Sequence, residues 1–187
     1  LGFNKEHLVR LNFSWTFKNQ DALRDKLRQL PEVEKFTLTS GVPGRIHLML
    51  GVANNDTTVM FNGLYADADF FRTMGIGIDD GRDFSHNDNK TVCIINQEGL
   101  KQFGLESLDG RRFDAGRKGG YEIIGVCHDF LVDAMYKKVA PAVIMLKDET
   151  EDYNRLRYAS ILLKPGNVGL QMKELEKVWK SIIPDEP

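Results

Sequence analysis

The chain has 187 residues, 42% of them hydrophobic, which is enough to bury a core as one domain or as two small lobes. Lys and Arg number 25 against 27 Asp and Glu, a net charge of -2 with no long block of one sign, and this excludes the electrostatic footprint of a nucleic-acid-binding protein. The longest uncharged stretches, such as Thr57 to Ala66, fall far short of the ~20 apolar residues needed to cross a bilayer.

The chain opens on Leu1, as expected of a segment cut from a longer polypeptide. Val9, Leu11, Phe13, Trp15 and Phe17 then alternate with Arg10, Asn12, Ser14 and Thr16, the period of a half-buried strand. Asn19 is placed to cap a helix with Leu23, Leu27 and Leu30 on one face, Asp21 in its first turn and Pro31 as its stop. A strand through Phe36 and Leu38 completes a β-α-β unit.

The middle of the chain changes character, with short strands expected near Ile46–Gly51 and Thr57–Tyr65. A short helix over Ala68–Met74 follows, ended by Gly75. After the Asp80-Gly81 turn come a strand over Thr91–Ile95, the cap residue Asn96 and a helix over Gln97–Phe103. Arg112–Asp114 and Tyr121–Cys127 read as a hairpin around a Gly-rich tip. Ala142–Leu146 is expected to return to the first unit, and Lys147–Arg157 to form a solvated loop.

The end of the chain repeats the strand-helix pattern. An apolar run, Tyr158 to Leu163, leads through Pro165-Gly166-Asn167 to Met172, Leu175, Trp179 and Ile182 at helical spacing, all expected to face the core, with Pro184 as the stop. This unit has no return strand of its own. Either the domain continues past Pro187 or a neighbouring strand completes the sheet, and truncation is the expectation. The fold class read from these patterns is α+β in two lobes: residues 1–42 and 138–187 form one, and the mainly β residues 43–137 form a second, inserted one.

Several short motifs then occur in a specific order. Phe70-Phe71-Arg72-Thr73-Met74-Gly75-Ile76 is followed by Gly81-Arg82-Asp83-Phe84, by Val92-Cys93-Ile94-Ile95-Asn96, and by Leu108-Asp109-Gly110-Arg111. Ile123-Ile124-Gly125-Val126-Cys127-His128-Asp129-Phe130 and Val139-Ala140-Pro141 close the series. Together they resemble the MacB-like periplasmic core domain, the extracytoplasmic domain of FtsX/MacB-type ABC transporter permeases, in the version abundant in Bacteroidetes. The N-terminal Leu1 to Glu6 and the segment Thr39 to Gly44 resemble it as well.

The resemblance implies a β-α-β Porter-like lobe with an inserted Sabre-like lobe, lying between two transmembrane helices on the periplasmic face of the inner membrane. It implies no catalysis and no cofactor in this domain, with ATP and Mg bound only by a cytoplasmic ATPase. Partners so implied are the flanking helices, that ATPase, a second permease copy or paralogue, and a periplasmic adaptor or substrate protein. ATP-driven closure would reach the domain by mechanotransmission. Phe71, Gly75, Gly81, Arg82, Phe84, Asn96, Gly110, Gly125, Asp129, Phe130 and Pro141 carry the motif, and each reads as a turn, cap or core residue rather than a reactive one.

Other patterns invite chemistry less well. Gly81, Gly110 and Gly125 fit neither a phosphate loop nor a dinucleotide fingerprint. Asp79, Asp80, Asp83, Asn87, Asp88 and Asn89 form an oxygen-rich patch that lacks EF-hand spacing. Cys127, His128 and Asp129 cluster in sequence, but neighbours on a strand point to opposite faces. His7, His47 and His86 lack zinc-site spacing. Cys93 and Cys127, each within an apolar run, read as buried free thiols rather than a disulfide. Arg82 is expected to bond carbonyls or a nearby carboxylate. A stand-alone periplasmic binding module, and a hydrolase using Cys127 or the acidic patch, are the rival readings.

Overall fold

The structure is a computed structural model that describes residues 7–13, 19–46, 48–54, 57–89, 91–105, 108, 110–114, 116, 119–131, 139–147 and 156–182. The fold is α+β. In chain order its elements are β1 (Leu8–Asn12), α1 (Gln20–Gln29), β2 (Val33–Thr39), β3 (Leu48–Asn54), β4 (Thr57–Ala66), α2 (Phe70–Met74), β5 (Ile78–Gly81) and β6 (Val92–Asn96). They continue with α3 (Gln97–Phe103), β7 (Arg112–Phe113), β8 (Tyr121–Cys127), β9 (Ala142–Leu146), β10 (Tyr158–Leu163) and α4 (Val168–Ile182). All ten strands join one mixed sheet in the order β1-β10-β2-β4-β9-β6-β8-β5, with β3 on β4 and β7 on β8.

The expected opening unit forms, but its strands are not neighbours, because β10 lies between β1 and β2 and is antiparallel to both. The return strand that β10 was expected to need is thus replaced by pairing on both of its sides. Trp15 and Phe17 lie outside the described residues, as do Pro184 and most of the Lys147–Arg157 loop. Leu23 and Leu27 of α1 are buried with Leu38, Ala159, Ile161 and Leu175, which makes this end of the sheet a core of its own.

α4 departs from expectation by one position. Met172 is 40% exposed, while Gln171 is buried and donates from Nε2 to the Lys164 carbonyl at 2.9 Å. Counting from the buried Leu175, positions 171 and 172 are both within reach of the core stripe. The close Gly166 backbone, whose added Cβ would stand 2.9 Å from Gln171 Nε2, leaves room for the amide on the inner side. Asn167 caps the helix, its Oδ1 accepting from Leu170 N.

β9 does not return to the first unit. It lies between β4, to which it is parallel, and β6, to which it is antiparallel. The physical reason is legible afterwards: all five of its residues are buried. Ala142, Ile144 and Leu146 join the cluster on one face of the sheet, and Val143 and Met145 join the cluster on the other. A strand apolar on both sides belongs inside a doubly covered sheet. β5, read from sequence only as a turn, is a short strand that pairs with β8 through a bulge.

Candidate functional site

The sheet narrows sharply at one place. β2 meets β4 through a single residue pair, Thr39 with Ala66, so within the sheet the β1-β10-β2 end joins the rest at one joint, while α2 packs across β2 and β10. Further bonds reinforce it. Ser40 N donates to the Tyr65 carbonyl at 2.8 Å and the Ser40 hydroxyl accepts from Tyr65 N at 2.9 Å. Asp67 N donates to the Leu38 carbonyl at 3.2 Å, and on either side of the joint Lys147 N extends the β9–β4 pairing to the Ala66 carbonyl and Arg157 N extends the β10–β2 pairing to the Thr39 carbonyl, each at 2.8 Å.

At the centre of this joint sits Asp67, directly after β4. Its Oδ2 accepts from Arg24 Nη1 of α1 at 2.6 Å and from Leu38 N of β2 at 2.8 Å. Its Oδ1 accepts from the Thr37 hydroxyl at 2.5 Å and from Asp69 N at 3.3 Å. One half-buried carboxylate therefore ties α1, β2, β4 and the approach to α2. Because one partner is a guanidinium, these bonds are of the stronger, charge-assisted kind. Sequence reasoning missed Asp67, since it stands in an ordinary Ala-Asp-Ala-Asp stretch and three of its four partners lie 29 to 43 residues away.

The motif residues build the scaffold on the far side of the joint. Phe71 and Phe84 are buried with ring centroids 5.6 Å apart, and Gly75 ends α2 in the left-handed region at φ 67°. Gly81 and Gly125 are where β5 crosses β8. Gly81 has φ 71°, and a Cβ on Gly125 would stand 2.6 Å from the Arg82 carbonyl oxygen, so neither tolerates a side chain there. Gly110 turns at φ 64° in open space.

Asn96 is buried at the start of α3 and uses its whole amide. Oδ1 accepts from Gly99 N at 2.9 Å and from Ala142 N at 2.8 Å, while Nδ2 donates to Asp129 Oδ1 at 2.8 Å and to the Ala140 carbonyl at 2.9 Å. Asp129 also accepts from Glu98 N at 3.0 Å. The knot fastens β6 and α3 to the end of β8 and the beginning of β9. Beside it, Phe130 is buried and the Pro141 carbonyl accepts from Asn62 N at 2.8 Å.

The acidic patch does not converge. Asp79 Oδ1 lies 2.6 Å from His128 Nε2, Asp80 accepts from Gly81 N, Asp83 from Phe84 N, and Asn89 from Thr91. Asp88 is taken by the fork of Arg82, at 2.7 and 2.8 Å, whose guanidinium is held above its ordinary pKa by that bond. Burial raises the Asp83 carboxyl. Among the described residues no three His, Cys, Asp or Glu side chains are placed to share a metal.

Cys127 and His128 point apart: the thiol is buried in the core and the imidazole is exposed. Cys93 and Cys127 are both buried and unpaired, and they lie in clusters on opposite faces of the sheet. Burial pushes both thiols well above their ordinary pKa, with Asp129 adding to the effect at Cys127. His7 and His86 share no site, and His86 Nε2 faces Asp69 at 3.4 Å. His47 lies outside the described residues. No described helix is long and apolar enough to cross a membrane.

No protein-family profile matches the sequence, and no curated protein matches it. Solved structures do. The periplasmic region of MacB from Actinobacillus actinomycetemcomitans superposes with TM-score 0.68 at 17% identity, over 96% of this chain and 85% of that one. The extracellular domain of the noncanonic ABC-type transporter YknZ from Gram-positive bacteria superposes with TM-score 0.66 at 13% identity, over 95% and 94%. A domain of a protein described as a permease from Porphyromonas gingivalis gives 0.64 at 17%, over 93% and 81%. Nearly the whole chain thus has the fold of the MacB-like periplasmic core domain.

Proposed function

We propose that this chain is the extracytoplasmic, non-catalytic domain of an ABC transporter permease, coupling ATP hydrolysis in the cytoplasm to export or release of a substrate by mechanotransmission. The observation that carries the reading is the overlap of 96% of the chain with the periplasmic region of MacB. The β1-β10-β2 end with α1 and α4 acts as the Porter-like lobe, and the remainder, now including β9, as the Sabre-like lobe. The joint at Thr39, Ala66 and Asp67 passes load between them. Its construction suits that task, because backbone bonds and one shared carboxylate resist extension without any reactive group.

In this reading ATP and Mg stay on the partner ATPase. The flanking transmembrane helices, a second permease copy or paralogue, and an adaptor or substrate protein complete the assembly outside the cytoplasm. The test is the parent gene: an apolar span of ~20 residues is expected before Leu1 and three more after Pro187. A parent without those spans contradicts the proposal.

A stand-alone binding module is the second reading, favoured by a cleft of about 340 Å³ between α1, β2 and α2, where Leu27, Val33 and Phe36 lie alongside Arg28, Lys35 and Arg72. The same gene separates the two, since a binding module has no flanking spans.

A further inference from the structure

We propose that the open edge of β3 receives an uncharged, extended peptide segment of a partner protein as an added strand, with a bulky apolar side chain set opposite Gly51. β3 is bonded to β4 along its whole length, from Leu48 opposite Gly63 to Asn54 opposite Thr57. Among the described residues, no backbone bond reaches its other side. A row of free N–H and C=O groups recognises another extended backbone before it recognises anything else.

Proteins ordinarily defend such edges with charges, prolines, bulges or short length. Other edge strands of this sheet carry such devices, β7 being only two residues long with Arg112 in it. β1 carries Arg10, and β5 is four residues long, bulged and doubly acidic at Asp79 and Asp80. β3, with the sequence Leu-Met-Leu-Gly-Val-Ala-Asn, has none of these devices. Its inner face, Leu48, Leu50 and Val52, packs on the core, while Met49 on its outer face is 53% exposed and Met60 on β4 is 46% exposed.

The chemistry of the occupant follows from Gly51. A Cβ built there would stand 3.3 Å from Met60 Sδ and 3.2 Å from Thr58 Cγ2, so these side chains lean over bare backbone. A strand added beside β3 would find a notch at this position, floored by the glycine and flanked by a thioether. An aromatic or large aliphatic side chain fills it and gains contact with the polarisable sulfur. A charged residue would lose water there without meeting a counter-charge, because no outward residue of the hairpin among Met49, Gly51, Ala53, Thr58, Met60 and Asn62 is charged. A second copy of β3 fits less well: antiparallel self-pairing about its centre sets Gly51 against Gly51 and leaves the notch empty.

The test uses the 187-residue chain and the capped synthetic peptide Thr-Val-Thr-Phe-Thr-Val-Thr, with its Phe-to-Ala analogue, read by amide hydrogen exchange. The Phe peptide is expected to slow exchange across Leu48–Asn54 by about tenfold or more, and the Ala analogue to bind about tenfold more weakly. G51K and M49K place a gatekeeping charge at exposed positions with yielding neighbours. Both are expected to keep the melting temperature and abolish the protection. No slowing at β3 with millimolar Phe peptide overturns the proposal, as does equal slowing in G51K or equal binding of the two peptides. A dimer formed through β3 without peptide, seen by sedimentation, overturns it in favour of self-pairing.

Discussion

Asp67 holds four donors with one carboxylate, and an amide cannot take its place. In D67N an amide nitrogen at the Oδ2 position would face two N–H donors, from Arg24 and Leu38, and at the Oδ1 position it would face Asp69 N and force the Thr37 hydroxyl to turn from donor to acceptor. Urea unfolding is expected to show a loss of about 2 kcal/mol, against near zero for R28M, whose exposed pair with Asp25 contributes little. Equal stability of D67N and the parent chain would refute the clamp. N96A should cost a similar ~2 kcal/mol, because it strands the Gly99 and Ala142 amides in the core. Asn96 was legible as a helix cap from its place before Gln97, but its bonds to Asp129, Ala140 and Ala142 span 33 to 46 residues and leave no local trace. The two thiols give a pH signature. Both are raised in the folded chain, so the unfolded chain loses these protons first and stability is complete below the unfolded thiol pKa of ~8.5. Above it, stability should fall as pH rises to 10, and a C93A/C127A chain should show a flatter slope. Identical slopes would mean that the thiols are not buried in solution.

At the scale of elements, periodicity carried most of what could be read. α1, α3 and α4 follow from spacing, with Asn96 and Asn167 capping α3 and α4 while the Asn19 side chain makes no capping bond to α1, and β4 and β8 follow as short strands between turn signals. Two failures are instructive. β5 reads Ile-Asp-Asp-Gly, a poor strand by propensity, and exists because Gly81 and Gly125 let β5 and β8 approach closely. A methyl at Gly125 would meet the Arg82 carbonyl, so G125A is expected to lose about 2 kcal/mol and to loosen β5 selectively in hydrogen exchange. β9 was legible as a strand but misplaced, because a short fully apolar run says that it is interior without saying beside which neighbours. On α4 the shifted stripe makes a direct contrast. L175A should cost roughly 3 kcal/mol by emptying a core site, whereas M172K should stay within about 0.5 kcal/mol. Thermal melts reversing that order would restore Met172 to the core.

Across the whole molecule, one sheet covered by three apolar clusters is pinched at a single strand pair. The α+β class and the order of motifs were readable from sequence. The pinch was not, since it depends on β10 entering between β1 and β2 and on β9 leaving that group. In the proposed role, load entering at one end crosses this strand pair, the Asp67 bonds and the packing of α2 on β2 and β10. The proposed role therefore rests on where the domain sits relative to the membrane. Leu170, 61% exposed on α4, offers a probe for that, because the native thiols are buried and silent. The decisive measurement is labelling of L170C in the parent protein by a membrane-impermeant maleimide, in sealed right-side-out vesicles. Labelling without lysis is the result expected of an extracytoplasmic permease domain, and labelling only after lysis would contradict it.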